Sequence, residues 1–127
     1  MSARLCLIRD FVALAKTDVV ADGNIKLKYH SLGRRVLCAV AKELGLQSGT
    51  YDIRSNLGGP AVAGEITLHG EHLYIQFREP ISGLEVLYRT CEGRKDYTGG
   101  VNHWMKYEDL YDLPRACEKF KALTEGN

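Results

Sequence analysis

The chain has 127 residues, of which 45% are hydrophobic and 26% are charged, so it can bury a core without metal or disulfide staples. Seventeen basic residues stand against sixteen acidic ones, and the net charge of +1 excludes an overall field that would draw the protein to nucleic acid or membranes. Any site for a polyanion must therefore be local.

The amino terminus and the cysteines indicate a cytoplasmic protein. The first ten residues contain too short an apolar core for a secretion signal, and no apolar run is long enough to cross a bilayer. The four cysteines are Cys6, Cys38, Cys91 and Cys117, and they lack the C-x-x-C pairs typical of zinc and redox sites. We therefore expect free thiols, and we expect residues 1–127 to form a single domain.

Two amphipathic helices are predicted at the start of the chain, the first over about residues 3–16. Residues 22–24 indicate a turn, after which residues 25–29 fit either a short strand, which their alternation favours, or the start of the second helix. The second helix is predicted to begin at an N-cap, Ser31, and to end at Gly45. Arg34 and Arg35 would then lie in its first turn. We favour the interpretation that they are solvated there; the alternative is that they help to hold an anion.

A four-stranded antiparallel meander is predicted next, beginning with a strand near residues 51–55. The most specific local signal is a hairpin over residues 62–77, with Gly70 and Glu71 as a two-residue type II′ turn. This register places His69 opposite His72, and strand alternation then assigns every side chain to one face. The residues directed toward the core are Ile66, Leu68, Leu73, Ile75 and Phe77.

The fourth strand is predicted over residues 84–90, and a closing helix begins after Asp112 with Pro114 in its first turn. Three amphipathic helices are then available to cover one face of the sheet. The predicted fold is therefore α+β, with two N-terminal helices, a four-stranded antiparallel β-meander and a C-terminal helix.

A first candidate site is the predicted cross-strand pair of His69 and His72. Facing residues of a hairpin have β-carbons about 5 Å apart, so the two imidazoles could share a metal that Glu65 or Asp52 completes. The pair flanks an exposed turn, however, and no firm third ligand or shaped cavity is visible. We therefore interpret these residues as solvated polar groups and predict neither a metal nor a cofactor.

A second candidate is a thiolate–imidazole pair formed by Cys91 and His103. Basic residues near Cys91, such as Arg89 and Arg94, would lower its pKa. The sequence supplies no third group to orient the imidazole, so an enzyme is the least favoured class and no catalytic residue is predicted.

The third candidate is the segment from residue 89 to residue 107, which is rich in cations and rings. Long loops in compact domains are mostly binding surfaces or disordered segments, and this aromatic content argues against disorder. Arginine forks suit phosphates and flat rings suit bases. Alternatively, Tyr97 and Trp104 pack back against the edge of the sheet. The predicted ligand-binding residues are Arg54, Arg89, Arg94, Lys95, Tyr97, Asn102, His103, Trp104 and Lys106.

The outer side of the sheet could extend this site, since alternation directs polar and aromatic residues there. These residues are Asp52, Arg54, Thr67, Tyr74, Gln76 and Arg89.

Two functions follow from this segment. The first is a binding module for a phosphate-bearing ligand, either a nucleotide or a nucleic acid. The alternative is an accessory or inhibitor protein that docks on a protein partner without catalysis, because tryptophan, tyrosine and arginine dominate interface hot spots. Exposed strand edges are also compatible with a homodimer, and no membrane association is expected.

Overall fold

A computed structural model describes residues 2–17, 19, 21–58, 63–81, 84–97 and 99–125. Helices α1 (Ala3–Ala15) and α2 (Gly23–Leu44) precede five strands. The strands are β1 (Asp52–Asn56), β2 (Glu65–His69), β3 (Leu73–Ile81), β4 (Leu84–Thr90) and β5 (His103–Met105). A 3-10 helix (Tyr107–Tyr111) and helix α3 (Leu113–Glu125) follow, which confirms the predicted α+β class and its order of helices and strands.

Helix α2 begins well before its predicted start. Its N-cap is Asp22, whose side chain accepts a hydrogen bond from the Asn24 amide at 2.7 Å, so the assignment of Ser31 was wrong. Residues 25–29 form the start of this helix and not a strand, because their apolar positions continue the helical spacing into the core. Arg34 and Arg35 consequently lie in the middle of α2, which removes the less favoured alternative of an anion site at its first turn, and both are exposed as in the favoured interpretation. The helix ends at Gly45, as predicted, in the left-handed conformation with φ 72°.

The strands form one antiparallel sheet in sequence order, from β1 at one edge to β5 at the other. The predicted register between β2 and β3 was wrong by two residues: His69 lies opposite Tyr74, and Leu68 lies opposite Ile75. The connecting turn is therefore longer, and the Gly70 amide donates to the Leu73 carbonyl at 2.8 Å. A shift of two residues preserves sidedness, so hydrophobic alternation could not distinguish the two registers. The predicted start of this hairpin near residue 62 lies outside the described residues.

All three helices contribute to one core on the inner face of the sheet. Phe11 of α1 lies at its centre, where its ring contacts the rings of Tyr29, Phe77 and Tyr107. The side chains that alternation directed inward are buried there, as predicted: Ile66, Leu68, Leu73, Ile75 and Phe77.

The opposite face of the sheet, which we call the outer face, carries its own small cluster. It consists of Tyr74, Leu87 and Cys91, with the half-buried Trp104 packed against them, and within the described ranges no helix residue belongs to it. The strand register places the following side chains on the outer face: Arg54, Thr67, His69, Tyr74, Gln76, Leu87, Arg89 and Trp104. No helix in the described part of the chain combines the length and apolarity that crossing a membrane requires.

Candidate functional site

The segment after β4 is bound to the end of the sheet by hydrogen bonds. The Cys91 amide donates to the His72 carbonyl at 3.1 Å, and the Cys91 thiol lies 3.3 Å from the Gly70 carbonyl that it donates to. The His69 ring reaches the Gly93 carbonyl through Nε2 at 2.9 Å. Residues 91–93 are therefore attached to the hairpin of β2 and β3.

Arg94 anchors the next part of this segment to β1. Its guanidinium donates to both carboxylate oxygens of Asp52, at 3.1 Å from Nε and 2.9 Å from Nη2, and Nη1 donates to the Gly49 carbonyl at 2.7 Å. The hydrogen bonds from Arg94 hold the pKa of Asp52 below its usual value. The arginine fork that the sequence assigns to a ligand is thus engaged within the protein.

Asp96 shapes the turn that follows. Its carboxylate accepts hydrogen bonds from the Glu92 amide at 3.0 Å and the Gly99 amide at 2.9 Å. Gly100 has φ 81°, and a β-carbon there would lie 2.4 Å from the Thr90 carbonyl oxygen. These local bonds explain how a segment without hydrophobic periodicity has a defined path.

Tyr97 returns this segment to the outer face. Its hydroxyl accepts a hydrogen bond from Arg54 Nη1 at 2.9 Å, and the Arg54 guanidinium lies 5.8 Å from the centre of its ring. Its carbonyl accepts from Arg89 Nη2 at 2.5 Å. The Arg89 guanidinium itself lies 4.4 Å from the ring centre of Tyr74. Two arginine–ring pairs therefore lie side by side across β1, β3 and β4.

A third arginine–ring pair lies toward the other edge of the sheet. Trp104 of β5 faces Leu87 of β4, and the Arg78 guanidinium lies 5.7 Å from the centre of the tryptophan ring. Sequence analysis missed Arg78, although the alternation of Tyr74, Gln76 and Arg78 along one strand was available as a signal.

His69 lies beneath Tyr97 and is fully buried. Its ring is nearly perpendicular to the rings of Tyr74 and Tyr97, with centroids 5.0 Å and 5.1 Å away. Burial lowers the pKa of His69, against the opposing effect of its hydrogen bond to Gly93. Nδ1 is buried and has no hydrogen-bond partner among the residues that the structure describes.

Among the described residues, the outer face carries three arginines, Arg54, Arg78 and Arg89, and two carboxylates, Asp52 and Glu65. Asp52, at the start of β1, accepts hydrogen bonds from both Arg54 and Arg94. Cations therefore outnumber carboxylates on this face, and one of the two carboxylates is already paired with arginines.

The structure separates the nine predicted ligand-binding residues into different places. Arg54, Arg89, Tyr97 and Trp104 lie together on the outer face. The remaining residues lie elsewhere: Arg94, Lys95 and His103 line a cavity of about 1100 Å³ that extends to the end of α3, and Asn102 and Lys106 are exposed on either side of β5.

Cys91 and His103 both line this cavity, but each side chain is engaged with a different group. The Cys91 thiol donates to Gly70, and burial raises its pKa and outweighs the lowering effect of Arg89, so the net lowering expected from basic neighbours was wrong. His103 instead stacks on the ring of Tyr88, with centroids 5.5 Å apart.

The metal candidates are also separated. His69 faces Tyr74 in the actual register, His72 is exposed in the turn, and Glu65 lies at the other end of β2. Among the residues that the structure describes, no group of three or more His, Cys, Asp or Glu side chains could hold a metal ion.

Comparisons with protein-family models, curated proteins and solved structures give no match for this chain. Its fold and surface define a small α+β protein with a sheet face rich in arginine and aromatic residues. Its function must be inferred from its own residues.

Proposed function

We propose that the protein binds single-stranded nucleic acid on the outer face of its sheet. The observation that supports this proposal is the row of three arginine–ring pairs: Arg54 with Tyr97, Arg89 with Tyr74, and Arg78 with Trp104.

The pairs at Tyr97 and Trp104 offer both kinds of contact that a single strand requires, whereas Tyr74 is buried and its pair offers only the Arg89 guanidinium. Aromatic rings and guanidinium planes stack on unpaired bases, and guanidinium groups bind phosphate. Tyr97 is 55% exposed and Trp104 is half-buried, so their rings are the ones that a base can reach. Five strands spaced about 4.8 Å apart give a surface about 19 Å wide, which accommodates a short run of nucleotides. A duplex suits the surface less well, since its bases are already stacked on each other.

The same face also suits a protein partner, which is the second candidate function. The observation in favour of it is the apolar cluster of Tyr74, Leu87 and Cys91 beside Trp104. A half-buried tryptophan bordered by arginines is a common composition of an interface hot spot.

Emission from Trp104, the single tryptophan, tests the proposal directly. We expect a short single-stranded oligonucleotide to quench it to saturation. Three phosphate contacts give a salt slope of about −2 for a single strand, so a rise from about 50 mM to about 300 mM salt should weaken binding about 40-fold. No response at low salt would contradict nucleic-acid binding, and a partner whose binding resists salt would favour the second function.

Alanine substitutions test whether the oligonucleotide binds at the outer face. Arg54→Ala and Arg78→Ala should each weaken binding and flatten the salt dependence, because each removes one phosphate contact. Arg34→Ala is the matched control, since it removes the same charge from an exposed site on α2, in the layer on the other side of the sheet. An equal loss in the control would indicate an unspecific charge effect and contradict the outer-face site.

A further inference from the structure

His69 combines complete burial with an unused hydrogen-bonding atom. Its Nε2 contacts the Gly93 carbonyl, which can only accept, so the ring proton is on Nε2. Nδ1 is then an acceptor, and it is buried without a partner in the described part of the chain. Buried polar atoms are nearly always hydrogen-bonded, so an unpaired one requires an explanation.

A second unused atom belongs to the same cluster. Arg89 Nε is also buried, has no partner within the described ranges and can only donate. The Arg89 guanidinium stacks on Tyr74, whose ring contacts that of His69, and its Nη2 bonds the Tyr97 carbonyl. The residues that carry this acceptor and this donor therefore contact the same two tyrosines, His69 through both rings and Arg89 through the Tyr74 ring and the Tyr97 carbonyl.

The two rings that contact His69 differ in accessibility. Tyr74 is 6% exposed, whereas Tyr97 is 55% exposed. The Tyr97 hydroxyl is held by Arg54, an exposed side chain, while its carbonyl is held separately by Arg89. The Tyr97 ring can therefore turn aside while its backbone stays in place, and this movement opens the approach to His69.

We propose that Tyr97 covers a slot in which His69 and Arg89 read one base of the bound strand, an inference that rests on the proposed nucleic-acid function. The His69 Nδ1 atom accepts a hydrogen bond from an N–H group on the edge of the base. Arg89 Nε donates to the adjacent acceptor on the same edge, and the displaced Tyr97 ring stacks on the base. All four bases present an N–H beside an acceptor on their pairing edges, but the exocyclic group is the donor in adenine and cytosine and the acceptor in guanine and thymine or uracil. A slot with its acceptor and donor in fixed places should therefore favour one of these two classes of base.

Binding of short homopolymeric strands by the wild type and by His69→Gln tests the slot. The glutamine amide can still donate to Gly93 but offers no acceptor in the place of Nδ1. The wild type should prefer either adenine and cytosine strands or guanine and thymine strands by about 10-fold, as expected of a base edge read by two hydrogen bonds. His69→Gln should lose this preference and keep the salt-dependent binding of all strands. Tyr97→Phe, which releases the ring from Arg54, should bind at least as tightly as the wild type.

Nitrogen NMR of the His69 ring distinguishes base reading from a purely structural role, in which binding would leave the ring resonances unchanged. Binding of the preferred strand should shift the Nδ1 resonance and leave Nε2 nearly unchanged, because Nε2 stays bonded to Gly93. An unaltered base preference in a folded His69→Gln variant would overturn the slot and leave the proposed function standing. Failure of every strand to bind the wild type would overturn both. A carboxamide-rich peptide that shifts Nδ1 while strands do not would assign the slot to a protein ligand and overturn the base-reading role.

Discussion

His30 and His69 are buried imidazoles that bind different parts of the chain together. His30 of α2 donates from Nε2 to the Ala63 carbonyl at 2.7 Å, and its Nδ1 accepts from the Ser55 hydroxyl at 2.6 Å. His69 connects β2 to the segment after β4 through Gly93. Burial lowers the pKa of both rings below the ordinary value of 6.5, so both are neutral in the folded protein near neutral pH.

These two residues predict a loss of stability in mild acid. The unfolded chain takes up a proton at each imidazole as the pH falls through about 6.5, whereas the folded protein does so only at a lower pH. The unfolding free energy should therefore change little around pH 7.5 and fall below about pH 6.5, by up to about 1.4 kcal/mol per pH unit for each histidine. Urea unfolding at about pH 7.5 and about pH 5.5 measures this change.

Single substitutions separate the two contributions. His30→Gln and His69→Gln should each reduce the dependence on pH, and carboxylates do not interfere because they titrate at lower pH. Equal stability of the wild type at both values would contradict the prediction.

The environments of these side chains were beyond what the sequence could predict. Alternation correctly placed His69 on the outer face, but its burial depends on Tyr97, which folds over it from a segment without periodicity. The engagement of Arg94 depends likewise on Asp52, which is 42 positions away in the chain. Such contacts depend on which strands lie next to each other in the sheet. A local sequence pattern does not contain this information.

Helix α2 lies unusually close to the sheet at Gly33. A β-carbon at this position would lie 2.5 Å from Ile66 Cδ1 and 3.1 Å from Phe11 Cε1. Both neighbours are fully buried, so they cannot move without disturbing the core. Glycine here weakens the helix by about 1 kcal/mol relative to alanine, which the close approach to the sheet offsets.

Gly33→Ala should therefore destabilise the protein although alanine favours the helix. Overpacking costs about 1–3 kcal/mol, so the expected net loss is about 1 kcal/mol or slightly more, measurable by denaturant unfolding. Gly23→Ala is the matched control, since nothing lies within 4 Å of a β-carbon at the start of the same helix. Ile66→Val removes the methyl group in the way and should make Gly33→Ala less harmful when the two are combined. A stabilised Gly33→Ala variant would contradict the close packing.

At the level of elements, long periodic segments were predictable and short or ambiguous ones were not. The three α-helices and the four main strands follow from their hydrophobic periods. The start of α2 was missed because residues 22–24 suit both a turn and an N-cap followed by a helix. Strand β5 has three residues, which is too short for alternation to be recognised, and its pairing with β4 is what places Trp104 on the outer face.

In the whole molecule, the sheet separates the helical layer from the outer face, where we propose the binding surface. The inner face is covered by the helices, whereas the cluster on the outer face contains, within the described ranges, no helix residue. The α+β class was predictable, because amphipathic helices must cover one side of a sheet. The candidate surface was predictable only in part, since it combines residues of β1, β3, β4, β5 and the segment after β4.

This division predicts opposite consequences for two aromatic substitutions. Phe120 of α3 is fully buried and its ring contacts Tyr88, so Phe120→Ala should lower the unfolding free energy by about 3–5 kcal/mol. Trp104 is half-buried on the outer face, so Trp104→Ala should cost only about 1–2 kcal/mol.

Denaturant unfolding measures both losses, and the anisotropy of a labelled single strand measures binding without the tryptophan. Trp104→Ala should abolish most of the binding while the protein remains folded, whereas any Phe120→Ala protein that is folded should bind as the wild type does. A stability loss at Trp104 as large as that at Phe120 would assign the tryptophan to maintaining the fold, and the row of arginine–ring pairs would then lose its main accessible stacking surface.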